Sequence, residues 1–253
     1  MKVSIVTVVF NCKDFIKPCI ESVLSQNYAD IEYIMIDGGS VDGTVSIIKK
    51  YLDQIDFFQT DRDLGMYDAL NKGIERATGD LVGMLNADDC LADVHVVSEI
   101  VKCFREKNCE AVYGNLKFIK RDMAYSVTRN WESSPYSLRD LRYGWMPAHP
   151  TLYIKRTVLS AAGSYSLGFG TCADYDMVLR LFYKMRIEAV YLNRLIIIMR
   201  TGGMSNGSFK KTFAAAINDY QVLVYNKIPN PLFALLLKKL RKLHQFFSYF
   251  HLI

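Results

Sequence analysis

The chain has 253 residues, 51% of them hydrophobic and 23% charged, with 31 Lys and Arg against 26 Asp and Glu for a net charge of +5. That apolar content can bury a full core and, with only 15 Gly and 6 Pro, excludes a disordered or collagen-like chain. Residues 200–253 carry Arg200, Lys210, Lys211, Lys227, Lys238, Lys239, Arg241 and Lys242 against Asp219 alone, a net +7 that leaves the first 199 residues at −2, a division that argues against a nucleic-acid binder.

The apolar, β-branched run Val3–Phe10 reads as a buried strand and not as a signal peptide, because it contains Ser4 and Thr7 and lacks a small-residue cleavage site. Asn11-Cys12-Lys13-Asp14 turns it into a helix through Ile16, Ile20, Val23 and Leu24. A second strand, Ile31–Ile36, ends at Asp37-Gly38-Gly39-Ser40 and leads to a helix through Val45, Ile48 and Leu52. A short third strand at Phe57-Phe58-Gln59, a helix from Met66 to Ala77 and a strand Leu81–Leu85 follow. The alternation predicts an α/β fold with a mostly parallel central sheet and helices on both faces. The section from Tyr113 to Thr171 is irregular and aromatic, and a helix is predicted over Asp174–Lys184. The six cysteines form no C-x-x-C pair and read as reduced thiols. No run approaches the ~20 apolar residues that a membrane span needs, so the expected location is cytoplasmic, at most on a membrane face.

In parallel sheets, ligands bind beyond the carboxyl ends of the strands. Asn11, Asp37, Asp61-Arg62-Asp63 and Asn86-Ala87-Asp88-Asp89 all follow apolar runs, so they should converge on one rim. The adjacent acids Asp88 and Asp89 repel each other and invite a compensating charge, which suits a hard cation such as Mg2+ or Mn2+; read alone, they could equally cap a helix. The glycines after Asp37 allow close backbone approach to a ligand, and Asp37 could accept from a base or ribose hydroxyl. Neither a dinucleotide fingerprint nor a P-loop occurs.

Taken together, Val8-Val9-Phe10-Asn11, Asp37-Gly38-Gly39-Ser40, Asp63-Leu64-Gly65-Met66-Tyr67-Asp68-Ala69-Leu70-Asn71-Lys72-Gly73 and Asn86-Ala87-Asp88 resemble the motifs of the family 2 glycosyltransferases. Ala173-Asp174-Tyr175-Asp176, His149-Pro150-Thr151 and Arg200-Thr201-Gly202-Gly203-Met204-Ser205 extend the resemblance, which covers residues 1–205. It implies the GT-A nucleotide-sugar fold, with residues 1–112 as the nucleotide-sugar half, 113–205 as the acceptor half and 206–253 as a helical tail. Three residues depart from the family pattern. Asn86 stands for the first Asp of D-x-D, Gly38 for the second Asp of D-D-G-S, and Ala173 for the Glu of E-D.

The resemblance further implies inverting transfer of one sugar from a nucleotide sugar, with UDP the expected nucleotide, to a lipid-linked saccharide in surface-polysaccharide synthesis. Asp174 is then the general base, and a divalent Mg or Mn ion on Asp88 and Asp89 the Lewis acid. Val8, Asn11, Asp37, Asp63, Asn71, Lys72, Asn86 and Arg200 are assigned to the donor, and Trp145 and His149 to the acceptor. Arg180 reads as a structural ion pair. If 232–247 is helical, Leu232, Phe233, Leu236, Leu237, Leu240, Leu243 and Phe247 share a face opposite Lys238, Arg241, Lys242 and Gln245, the pattern of a helix attracted to an anionic membrane. The same face could instead pack on the body or on a second subunit. A sugar nucleotidyltransferase would need a basic Gly-rich N-terminal loop, which is absent, and a non-catalytic carbohydrate- or partner-binding relative would have lost Asp88 or Asp174.

Overall fold

The computed structural model describes residues 1–121, 126–202 and 209–247, with side chains described except at 209–212 and 243–247. Gly203, Met204, Ser205 and the side chains of Lys210, Lys211, Leu243, Gln245 and Phe247 therefore lie outside what the structure describes. In chain order the elements are β1 (Val3–Val9), α1 (Ile16–Leu24), β2 (Ile31–Asp37), α2 (Thr44–Ile48), β3 (Phe57–Thr60), α3 (Met66–Arg76), β4 (Leu81–Asn86), β5 (Cys90–Leu91) and α4 (Val96–Lys107). There follow β6 (Ala111–Ile119), β7 (Val127–Trp131), α5 (Leu138–Arg142), β8 (Tyr153–Lys155), α6 (Arg156–Ala162), α7 (Ala173–Val178), β9 (Ala189–Arg200), α8 (Phe209–Tyr225) and α9 (Pro231–Phe247).

One sheet runs β3-β2-β1-β4-β8-β6-β9-β5, with β7 added against β6. Its first four strands are parallel, as the alternating pattern predicts. Beyond them β4–β8, β8–β6, β6–β7 and β5–β9 are antiparallel and, among the described residues, only β6–β9 is parallel, so the sheet beyond β4 is mixed. The register aligns Val9 with Asp37, Asp37 with Thr60 and Val8 with Asn86, which brings the ends of the parallel strands to one rim.

The pleat sorts side chains between two cores. Val3, Ile5 and Val9 of β1 join Ile16, Cys19, Ile20 and Val23 of α1 and the apolar stripe of α4 on one face. Val6 points the other way and joins Ile34, Ile36, Ala69 and Leu70 with Tyr175, Leu181 and Phe182 on the second. Helix α1 forms where its sequence predicts, because the four buried residues recur at helical spacing. The predicted helix over Asp174–Lys184 is α-helical only to Val178 and then widens to a π-type segment, Leu179–Met185.

The two C-terminal helices are built into the body. Val222, Leu223, Ile228 and Ala234 are wholly or almost wholly buried in the second core. Gly144, at φ +74, lies so close to α9 that a Cβ there would sit 2.8 Å from the Lys238 backbone nitrogen. Outward, Leu232, Phe233, Leu236 and Leu240 are exposed, whereas Lys238 turns inward, contrary to the amphipathic pattern read from sequence. The wheel assigns every lysine to water, but here the interior offers this one an acid, Asp219. Among the described residues no helix is long and apolar enough to cross a membrane.

Candidate active site

The rim is organised by side chains that hold its loops. Asp37 is fully buried. Its Oδ2 accepts from the Gly39 and Ser40 backbone N–H groups and the Thr60 hydroxyl, and its Oδ1 from the Ser40 hydroxyl. It was expected to face the donor, but the turn consumes its oxygens, so it shapes the loop instead. Asn11, at φ 46, ties the first loop to the second by accepting from Val41 N–H, while its own N–H donates to the Ser40 hydroxyl. Val8 is half-buried in the sheet.

Gly38 explains its own departure from the family pattern. A Cβ there would run into the Asp63 carboxylate, so Asp63 occupies the space that a side chain at 38 would claim. Asp63 Oδ1 accepts from Gly65 N–H at 2.8 Å and stays partly exposed. Asn71 faces away from this donor loop. Its Nδ2 donates to the Tyr165 carbonyl at 2.9 Å and its Oδ1 accepts from Tyr165 N–H at 2.8 Å, while Tyr67 stacks on Tyr165 with ring centroids 5.6 Å apart. The donor assignment of Asn71 is thereby corrected, because both ends of its amide bind the Tyr165 backbone. Lys72 pairs with Asp68 one turn back at 2.9 Å.

At the end of β4 the two adjacent acids have opposite fates. Asp89 is 1% exposed, with Oδ2 accepting from Asn86 Nδ2 at 2.9 Å and Oδ1 from Arg200 N–H at 3.1 Å. Burial, then the neighbouring Asp88 charge, push its carboxyl up to about 8. Its assignment to the metal is corrected on geometry, because both oxygens accept from groups inside the protein and the side chain does not reach the mouth. Asp88 is at the mouth, with Oδ2 3.2 Å from Arg121 Nη1. Arg200 Nη1 donates to the Asp88 carbonyl at 2.7 Å. Both guanidinium groups stack on Phe15, at 4.3 Å for Arg121 and 5.1 Å for Arg200. Arg121 and Phe15 were missed from the sequence; the only signal was a basic residue just past an apolar strand. Among the described residues no three His, Cys, Asp or Glu side chains gather as a metal cage. Of the two acids, Asp88 is the one whose carboxylate could hold a divalent ion at the mouth.

On the acceptor side the fold joins two residues far apart in sequence. His149 Nε2 lies 2.9 Å from Asp174 Oδ2, while Asp174 Oδ1 accepts from Tyr175 N–H at 2.7 Å. Burial alone would raise the Asp174 carboxyl, but the His149 charge and hydrogen bond, with the Lys238 charge, hold it below its ordinary value. His149 stands edge-on to Trp131, with centroids 6.1 Å apart. Trp145, expected to meet the acceptor, is 7% exposed, and its ring packs on Tyr113, Tyr136 and Phe182 while Nε1 donates to Ser134. It is a core residue, so no sugar can stack on it. Arg180 is structural, as its reading from sequence holds, bound to Asp176 and to the carbonyls of Ala162, Gly163 and Ser164.

Comparison with known proteins agrees with this architecture. The family described as Glycosyl transferase family 2 matches residues 4–159. A PGL/p-HBAD biosynthesis glycosyltransferase of Mycobacterium bovis is 26% identical over 215 residues, covering 83% of this chain and 81% of that protein. An uncharacterized glycosyltransferase of Mycobacterium tuberculosis is 32% identical over 180 residues, covering 70% and 68%. The crystal structure of Staphylococcus aureus TarS 1–349 with UDP-GlcNAc matches 88% of this chain at TM-score 0.67 and 14% identity. The chain spans 66% of that fragment and 39% of a longer TarS chain. A mannosyltransferase from Pyrobaculum calidifontis in complex with GDP-Man and Mn2+ matches 94% of this chain and 68% of its own, at TM-score 0.65 and 16% identity. At these identities the structural likeness shows the shared GT-A fold.

Proposed function

The chain belongs to glycosyl transferase family 2, and on that premise we propose that it moves one sugar, with inversion, from a nucleotide sugar to a hydroxyl of a lipid-linked saccharide during synthesis of a surface polysaccharide or glycolipid. The observation that carries this reading is the Asp174–His149 pair, a half-buried, ionised carboxylate oriented by an imidazole. Each Asp174 oxygen has one partner among the described residues and keeps a second lone pair for an acceptor hydroxyl.

In the proposed reaction the acceptor oxygen attacks the anomeric carbon as Asp174 takes its proton, and the bond from that carbon to the diphosphate oxygen breaks on the opposite side. One attack in line inverts the centre, so an α-linked donor gives a β-linked product. The diphosphate leaves with growing negative charge, which Arg200 and Arg121 face from the end of β9 and from beyond β6. A divalent Mg or Mn ion, when bound, would be held by Asp88 and would polarise the diphosphate. UDP is the proposed nucleotide, supported by the TarS complex, with GDP and TDP the alternatives. A lipid-linked acceptor is supported by the glycolipid-synthesis relative. The exposed Leu232, Leu236 and Leu240 beside Lys239 and Arg241 would hold the protein at an anionic, cytoplasmic membrane face.

Turnover of a UDP-, TDP- and GDP-sugar panel with lipid-linked acceptors tests the reading. Asp174→Asn should lose 100-fold or more in kcat while keeping nucleotide affinity and folding, within the range for a general base. Near-normal turnover by that variant would overturn the assignment.

A further inference from the structure

The C-terminal helices bring a charge to the candidate base that the first 205 residues do not contain. Lys238 of α9 is 18% exposed and its Nζ sits 3.5 Å from the centroid of the Tyr175 ring, on the residue next to Asp174. The same ammonium donates to Asp219 Oδ1 of α8 at 2.5 Å. Two anchors therefore fix it, an acid on the neighbouring helix and the face of an aromatic ring. The backbone behind it is fixed too, since α9 lies against Gly144.

We propose that Lys238 is a positioning residue for Asp174, through which the C-terminal helical hairpin sets a fixed positive charge beside the residue next to the base. The proposal rests on Asp174 being the base.

Several elements bring groups to Asp174. His149 binds it directly, Tyr67 comes from α3, Tyr165 and Cys172 from the preceding segment and Lys238 from α9, while Asp219 of α8 enters through its bond to Lys238. Of these, the tyrosines and Cys172 are neutral at working pH, since burial raises all three groups. Lys238 is thus the permanent cation of the set, and Asp219 the anion that shares it. Beside a half-buried carboxylate such a charge acts beyond contact distance. Removing the cation uncovers Asp219, so both changes push Asp174 toward its protonated form. Neutralising Asp219 instead frees the whole Lys238 charge to act on Asp174. The two single variants should therefore move the base in opposite directions, which mere damage to packing would not do.

The test is a carboxyl 13C NMR titration of the full-length chain labelled at Asp, with the Asp174 signal assigned by its loss in Asp174→Asn. Relative to wild type, Lys238→Met should raise the Asp174 midpoint by about half a unit or more, Lys238→Arg should leave it in place, and Asp219→Asn should lower it. Coincident midpoints in the wild-type, Lys238→Met and Asp219→Asn proteins would overturn the proposal, as would a downward shift in Lys238→Met. If Lys238→Met fails to fold, the Lys238→Arg and Asp219→Asn titrations still decide. Turnover of Asp174→Asn, measured separately, decides the base assignment. A dead Asp174→Asn enzyme with an Asp174 midpoint indifferent to Lys238 would sink this proposal alone.

Discussion

The helix that carries Asp174 is anchored one turn on by a buried ion pair, and its removal should be costly. Asp176 is 1% exposed and both its oxygens are engaged, Oδ2 by Arg180 Nε at 2.9 Å and Oδ1 by Asn226 Nδ2 at 2.8 Å. Asn226 is itself 1% exposed and lies where α8 ends. Asp176→Ala leaves the Arg180 charge, held at 16% exposure, and the Asn226 amide without their acceptor. Breaking a buried pair from one side costs about 3–5 kcal/mol. For a chain of this size that corresponds to a fall in Tm of roughly 6–20 °C. Urea unfolding followed by circular dichroism reads the free energy, and a cycle with Arg180→Met isolates the pair. The double variant should cost less than the sum of the single ones, since neither charge is then stranded. A cost for Asp176→Ala below about 1 kcal/mol, the level of an exposed pair, would refute the argument.

Glu32 gives a pH signature. Burial alone would raise its carboxyl, but hydrogen bonds from Lys2, Ser4 and Thr78 pull it down to about 2 from 4.5. A depressed acid stabilises the fold above its unfolded pKa, so this contribution is present above pH 4.5 and is lost as the pH falls toward 2. The stability difference between wild type and Glu32→Gln should shrink over that window; a constant difference would contradict it. Gly144→Ala should destabilise by about 2–4 kcal/mol, from the positive φ and the collision with α9, and thermal melts with limited proteolysis of the C-terminal helices would show it. With UDP present, Mn2+ binding followed by electron paramagnetic resonance should weaken at least tenfold in Asp88→Asn and hardly change in Asp89→Asn; equal losses would restore Asp89 as a ligand.

The parallel half of the fold was legible because its strands are short, mostly apolar runs whose polar ends share one register. The mixed half was not, since short strands such as Cys90–Leu91 and Tyr153–Lys155 carry no period of their own. The site residues divide on a different principle. Asp174, His149, Asp88 and Arg200 were proposed from motifs, but the contact of Asp174 with His149 is a product of the fold. Asp37, Asn71 and Asp89 read as ligand-facing because polar residues at strand and helix ends commonly are. Whether their oxygens are consumed by nearby backbone and side-chain donors is decided by turn geometry that composition does not carry. Trp145 failed in the opposite way, since one ring among many aromatics gives no sign of lying inside. Lys238 was placed in water by helical periodicity, which ranks residues by polarity and is blind to an inward acid on the next helix.

The clasp between α3 and the acceptor half bears on how the enzyme would turn over. The Asn71 amide grips the Tyr165 backbone at both ends, and Tyr67 stacks on the Tyr165 ring and reaches the Thr171 carbonyl at 3.4 Å. The helix that follows the donor loop is thus riveted to the segment that leads into Asp174. Spreading these two parts like a hinge would have to break all of these contacts together. Under the proposed function, donor exchange would then call on the rim loops and leave the distance between α3 and the segment before Asp174 unchanged.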